Sequence, residues 1–141
     1  MLFFFVSCKT SINETSLDKE CNPVILNFFS TIQNGKYHQA LENLLTSNLD
    51  INLKDTNTLL LVSKFDSINS LSGSFIGYEI VRKRQVGKDL AIYSCLVKYQ
   101  KKFYRFVFVF YRAETTALLY KFTFDDSIDI ELEESLKFYI Q

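Results

Sequence analysis

The sequence has few of the residues that interrupt regular structure. One proline and four glycines occur among its 141 residues, and tryptophan is absent. With so few interruptions, no stretch has the composition of a long flexible linker. The length fits one domain with a sizeable core. We therefore expect a single folded unit rather than an array of small ones.

Residues suited to acid–base or metal chemistry are also scarce. His38 is the only histidine, and it lies off the apolar stripe of its predicted helix, so we expect it to face water. No glycine-rich phosphate loop or nucleophile elbow is present. The three cysteines include no Cys-x-x-Cys pair, which argues against a zinc site. We predict no cofactor and no metal.

Cys21 and Cys95 leave two alternatives open. They could form a disulfide in an oxidising compartment. Cys95 falls in the middle of a strand pattern, where a small buried apolar residue is the commoner role. The second alternative, two buried free thiols, is the one we favour.

Net charge is also lacking, because 16 basic residues balance 16 acidic ones. This balance argues against nucleic acid as a partner. The charges are nevertheless segregated: eight basic residues and one acid lie between Arg82 and Arg105, whereas six acids and one lysine follow from Asp125 onward. The charges could simply be solvated strand edges and an acidic tail. Alternatively, the tail lies near the basic hairpin, or a charged partner takes its place.

The chain opens with Met-Leu-Phe-Phe-Phe-Val-Ser-Cys. The stretch Phe5–Cys8 resembles the end of a bacterial lipoprotein signal, which implies that Cys8 carries lipid. The resemblance places the protein in the bacterial cell envelope, lipid-anchored, with its domain outside the cytoplasm. Residues 1–21 would then be a truncated signal remnant and polar tether, and residues 22–141 the domain. The alternative is an ordinary N-terminus that happens to contain a cysteine.

Helical periodicity dominates the first half of the predicted domain. Asn22-Pro23 is a suitable helix start, and Asn34-Gly35 a suitable stop. A second apolar stripe begins at Tyr37 and ends at Leu45. Asp55 is the predicted cap of a third helix that ends near Leu71, although the apolar run 59–62 could also form a short strand.

From Ser74 the apolar residues alternate with a period of two, which predicts four strands near residues 74–84, 89–99, 103–112 and 116–124. The short joins require an antiparallel meander. The strand 103–112 is apolar on both faces, so we expect both to be covered. The predicted helices can cover one face. Val107, Val109 and Tyr111, on the other face, would be covered by residues 128–140, as a helix or a strand, or by a second copy in a homodimer.

The predicted fold class is thus α+β, with N-terminal helices packed on a four-stranded antiparallel meander sheet and a C-terminal helix. Phe28–Leu45, with its Asn-Gly-Lys-Tyr turn, and the later Phe-Val-Phe-Val-Phe-Tyr-Arg strand resemble the nuclear transport factor 2-like superfamily, whose fold is also called a cystatin-like cone. The resemblance spans about residues 22–125. Because that superfamily holds both enzymes and ligand-binding modules, it implies no single activity.

Aromatic residues and one carboxylate are the remaining candidates for a site. They would line an apolar pocket inside the cone: Tyr78, Glu79, Tyr93, Tyr99, Phe106, Phe108 and Phe110. The alternative is that the aromatics are simply core. We therefore expect a non-catalytic binding or interaction module, tethered to a membrane through Cys8, for an apolar small molecule or a protein partner. The second hypothesis is an isomerase- or dehydratase-type enzyme using a tyrosine/carboxylate pair in the cone, with Glu79 as the candidate acid.

Overall fold

The computed structural model of the protein describes residues 14–137. Within that part of the chain, four helices and four strands follow one another in the α+β order that the sequence predicts. The elements are α1 (Ser16–Gln33), α2 (Tyr37–Thr46), α3 (Thr56–Ser72), β1 (Phe75–Val86), β2 (Leu90–Tyr99), β3 (Phe103–Arg112), β4 (Ala117–Asp125) and α4 (Ile128–Lys137).

The four strands form one antiparallel meander in chain order, as predicted. A register shift lies between Ile80 and Arg82 on β1. Such a shift changes which residues of a strand face the core. On its far side Lys83 is opposite Tyr93, on the helix-covered face, whereas Arg82 is opposite Ser94 on the other face.

Helix α1 begins at Ser16, before the start that Asn22-Pro23 suggested, so that prediction was wrong. Thr15 is the N-cap and forms a capping box with Asp18. Pro23 lies inside the helix, where it leaves one carbonyl of the preceding turn without its helical donor. Leu17 and Cys21 are fully buried in the core. Residues 16–21 are therefore part of the packed domain rather than of a polar tether.

The other helices follow the predicted pattern. Asp55 caps α3 through its side chain, which accepts a hydrogen bond from the backbone N–H of Asn57. Residues 59–62 belong to this helix and not to a strand. Gly73 ends it with a φ of 77°, a conformation that glycine adopts readily. The segment from Ile128 to Lys137 is likewise a helix rather than a strand.

The core lies between the sheet and helices α1, α2 and α3. It is strongly aromatic, and both cysteines that the structure describes, Cys21 and Cys95, are buried within it as free thiols. Helix α4 lies against the opposite face of the sheet, which we call the back face. None of the helices within residues 14–137 is long and apolar enough to cross a membrane.

Candidate functional site

The predicted pocket residues fall into two groups. Five of them lie in the core with their side chains at most 2% exposed: Tyr93, Tyr99, Phe106, Phe108 and Phe110. None of the five lines any of three pockets, of about 290, 440 and 890 Å³, found in the described chain. The structure thus brings these aromatics together as packed core side chains.

Phe28 of α1 fills the space in front of these strands. Its ring centroid lies 6.2 Å from that of Phe106, 5.4 Å from that of Phe108 and 5.5 Å from that of Phe122. Phe29 beside it stacks on Tyr78 at 3.8 Å. Edge-to-face and offset packing at such distances is typical of well-packed aromatic cores. The helix-covered face of the sheet is therefore occupied by the protein's own rings.

Glu79 is exposed and lies opposite Leu96, on the back face of the sheet. With Tyr78, Lys98 and Phe103 it lines the pocket of about 440 Å³. The candidate acid of the enzyme hypothesis therefore lies on the opposite side of the sheet from the buried aromatic rings.

A different tyrosine/carboxylate pair is present, and the sequence analysis did not find it. Asp18, only 1% exposed, accepts a hydrogen bond of 2.5 Å from the hydroxyl of Tyr93. It also forms an ion pair with Lys83 and accepts a 2.9 Å hydrogen bond from the backbone N–H of Thr15. The one available signal was the Thr15-x-x-Asp18 spacing of a capping box.

The groups around Asp18 hold its carboxylate in the charged form. Burial by itself raises the pKa of Asp18, but hydrogen bonds from Lys83, Tyr93 and Thr15 outweigh it and lower the pKa to about 2. Burial and the Asp18 charge raise the pKa of the Tyr93 phenol. Burial also raises the pKa of the Cys21 thiol to about 11. At neutral pH Asp18 is charged, and Tyr93 and Cys21 are protonated.

The largest of the three pockets is a groove on the back face, of about 890 Å³. We call it the back groove. Its floor combines apolar and basic side chains of β1, β2 and β3: Val81, Arg82, Arg84, Ile92, Arg105 and Val107. Glu131 and Glu134 of α4 form one wall. The basic hairpin and the acidic tail therefore do meet, as one of the two charge hypotheses expected.

Glu131 is the centre of the contact between α4 and the sheet. Arg82 donates two hydrogen bonds to its two carboxylate oxygens, at 3.0 and 2.9 Å. Ser94 donates a third at 2.7 Å, and Nη1 of Arg105 lies 3.6 Å away. Burial alone raises the pKa of Glu131, yet these donors lower it overall, so the group is charged at neutral pH.

Two further predictions bear on the site. Cys8, the predicted lipid attachment residue, lies outside the described residues. Within residues 14–137, no group of three or more histidine, cysteine, aspartate or glutamate side chains is placed to hold a metal ion. His38 is exposed, with Nδ1 3.3 Å from a carboxylate oxygen of Asp66.

No protein-family model matches the chain, and no characterised protein or solved structure shows significant similarity to it. Any function must therefore be argued from the residues of this chain.

Proposed function

We propose that the protein is a non-catalytic binding module, tethered to a bacterial membrane through a lipid on Cys8, that engages a protein partner through the back groove. One observation carries the choice of surface. The inner face of the sheet is filled by rings such as Phe28 and Phe108, whereas the back groove is open and combines apolar floor residues with arginines. Such a mixture is typical of protein-binding surfaces, where arginine is enriched.

The resemblance of the sequence pattern to nuclear transport factor 2-like proteins is compatible with this role. Members of that superfamily include many plain ligand-binding modules, and the helices-then-meander order is shared by this chain. Binding on the back of the sheet would leave the cone itself as a rigid scaffold. A rigid scaffold lowers the entropy lost when a partner docks.

The second candidate, an isomerase- or dehydratase-type enzyme, would need a tyrosine/carboxylate pair, and Asp18 and Tyr93 form one. A catalytic base needs a pKa near the working pH and a substrate within about 3 Å. The pKa of Asp18 is instead lowered to about 2, and neither residue lines any of the three pockets. We therefore assign this pair to stability.

The proposed anchor predicts a change in partitioning. When the full-length product is expressed in a bacterial host from its true start, we expect it in the membrane fraction. Cys8→Ser should move it to the aqueous fraction, because each buried lipid methylene contributes about 0.8 kcal/mol to anchoring. Quantitative immunoblotting of the two fractions measures the shift.

Cys21→Ser is the matched control, since Cys21 is buried inside the domain and should not carry lipid. Its product should stay with the membrane. Equal partitioning of Cys8→Ser and the unmodified chain would contradict the anchor.

The proposed binding surface predicts site-specific photocrosslinking. Replacing Ile92 or Val107 of the back groove with photoreactive benzoylphenylalanine should give one discrete adduct on illumination of intact cells. The same substitution at Leu49 is the control, since Leu49 is exposed and follows α2, a helix that packs against α1 and α3 and not against α4. Mass spectrometry identifies the adduct.

An adduct of twice the chain mass would identify a second copy as the partner and would still support the groove as the binding surface. Absence of an adduct from both groove positions, or equal adducts from Leu49, would reject the back groove as the binding surface.

A further inference from the structure

Three strands contribute polar groups to one point of the back groove. Arg82 comes from β1, Ser94 from β2 and Arg105 from β3, and all three surround the same carboxylate of Glu131. An arginine that donates two parallel hydrogen bonds to a carboxylate is the geometry in which arginine recognises such groups most specifically. The arrangement is a carboxylate-binding site that a residue of the same chain occupies.

Arg105 retains a donor for a further acceptor. Its Nε is buried without a hydrogen-bond partner among residues 14–137. Its Nη2 donates to Asp125 at 2.7 Å, which holds the guanidinium at the edge of the site. Buried donors without acceptors are rare in proteins, because the lost solvation is costly. The site is therefore better equipped with donors than its present occupant uses.

Among the described residues of helix α4, Glu131 is the most deeply buried. Glu131 is 6% exposed, whereas Ile130, Leu132 and Leu136 are 44%, 57% and 60% exposed. The apolar contribution of these three side chains to docking is small, because the favourable free energy scales with apolar area removed from water. The ten described residues of α4 would also be marginal as an isolated helix. A segment that buried more apolar surface in the back groove would therefore bind there more strongly than α4 does.

We infer that the back groove recognises a partner protein segment in which an acidic residue lies among apolar residues, and that α4 holds this site in cis until the segment displaces it. The partner's carboxylate takes the position of Glu131 between Arg82, Ser94 and Arg105. Its apolar side chains lie on Val81, Ile92 and Val107, which line the open groove. This inference rests on the proposed function and specifies the chemistry of the partner.

The charge of the groove favours a carboxylate segment over nucleic acid. Glu131 and Glu134 already line one wall, and Glu134 lies 3.5 Å from Arg82. A polyanionic backbone would meet these carboxylates, whereas a segment with one central acid replaces one of them. Exchanging one carboxylate for another conserves the ion pairing of the arginines.

The test uses the full chain and a fluorescent ten-residue peptide with the sequence of α4, Ile128–Lys137. Glu131→Ala vacates the site, so we expect this variant to bind the peptide at least about tenfold more tightly than the unmodified chain, because charge-assisted hydrogen bonds become available. A peptide in which glutamine replaces the glutamate equivalent to Glu131 should lose that gain. Fluorescence anisotropy measures both affinities.

Arg82→Gln in the Glu131→Ala background should abolish the gain in affinity. Circular dichroism checks that each variant is folded, and Glu131→Gln replaces Glu131→Ala if the latter does not fold. Equal binding of the glutamate and glutamine peptides would overturn the inference, as would equal binding by the Arg82→Gln double variant. Tighter binding of a single-stranded oligonucleotide than of the peptide would also overturn it.

The two proposals fail separately. If the peptide does not bind but crosslinks form at Ile92 and Val107, the groove is a binding surface for other chemistry, and the carboxylate inference is wrong. If the peptide binds but no crosslinks form in cells, the carboxylate site stands and the proposed function is wrong.

Discussion

Phe28→Ala is expected to lower the free energy of unfolding by about 3–5 kcal/mol. Phe28 is 2% exposed, and its ring packs against five others: Phe29, Phe65, Phe106, Phe108 and Phe122. Removing it takes away burial and leaves a cavity that close-packed neighbours cannot fully close. Urea unfolding followed by circular dichroism gives the difference.

Phe103→Ala is the matched control on the sheet, since Phe103 is exposed at the start of β3. Its effect should stay below about 1 kcal/mol, as for most surface substitutions. A similar effect for both variants, or a Phe28→Ala protein of unchanged stability, would show that this ring does not fill the space between the helices and the sheet. A hollow interior would reopen the question of a ligand site there.

Asp18→Ala should cost about 3 kcal/mol, because it removes one partner of a buried ion pair and leaves polar groups without their acceptor. Lys83 loses its counterion, the Tyr93 hydroxyl loses its acceptor, and Thr15 loses half of the capping box. Asp50→Asn, a change at an exposed aspartate, is the control. Chemical unfolding at neutral pH measures the loss, and a loss no larger than that of the control would contradict the assigned role.

The cluster around Asp18 also predicts that the free energy of unfolding depends on pH. The pKa of Asp18 is lowered from an ordinary value of 3.8 to about 2 in the folded protein. As the pH falls, Asp18 therefore takes up a proton in the unfolded chain before it does so in the folded protein. The stabilisation that ionised Asp18 contributes to the folded protein is present above pH 3.8 and is lost as the pH falls toward about 2.

The stability gap between the unmodified chain and Asp18→Ala should accordingly narrow by about 2 kcal/mol over this interval. Unfolding of both proteins in a pH series measures the gap, and other carboxylates cancel because they titrate in both. A gap that stays constant from neutral pH to the acid limit of the folded state would show that Asp18 is not held ionised by Lys83 and Tyr93.

Local patterns predicted the elements but failed at one helix start. The period-two alternation after Ser74 predicted four strands, and the stripe from Tyr37 to Leu45 predicted α2. The start of α1 was misplaced because Asn22-Pro23 is a stronger local signal than Thr15-x-x-Asp18. The structure favours the earlier start because Leu17 and Asp18 gain burial and tertiary partners there, and tertiary packing commonly overrides local preference.

The site was less accessible to sequence reasoning than the fold. The sequence showed a basic hairpin and an acidic tail, and it left open whether they meet. Adjacent residues on a strand alternate faces, so the sequence predicted that Arg82 and Lys83 reach opposite sides of the sheet. It could not show which of them faces the core or which carboxylate each one meets. Nor could it show which of the aromatics leave room for a ligand, because that depends on the placement of Phe28.

By itself, the sequence determined the period of each element, the order of helices and strands, and the short joins that require a meander. These depend on residues close together in the chain, whose spacing decides which faces can be buried. Only the tertiary structure decided that Asp18 meets Lys83 and Tyr93, that Phe28 fills the space between α1 and the sheet, and that Glu131 reaches Arg82 and Ser94. Each of these contacts joins residues far apart in sequence, and the register shift on β1 decides that Lys83 faces the core while Arg82 faces the back groove.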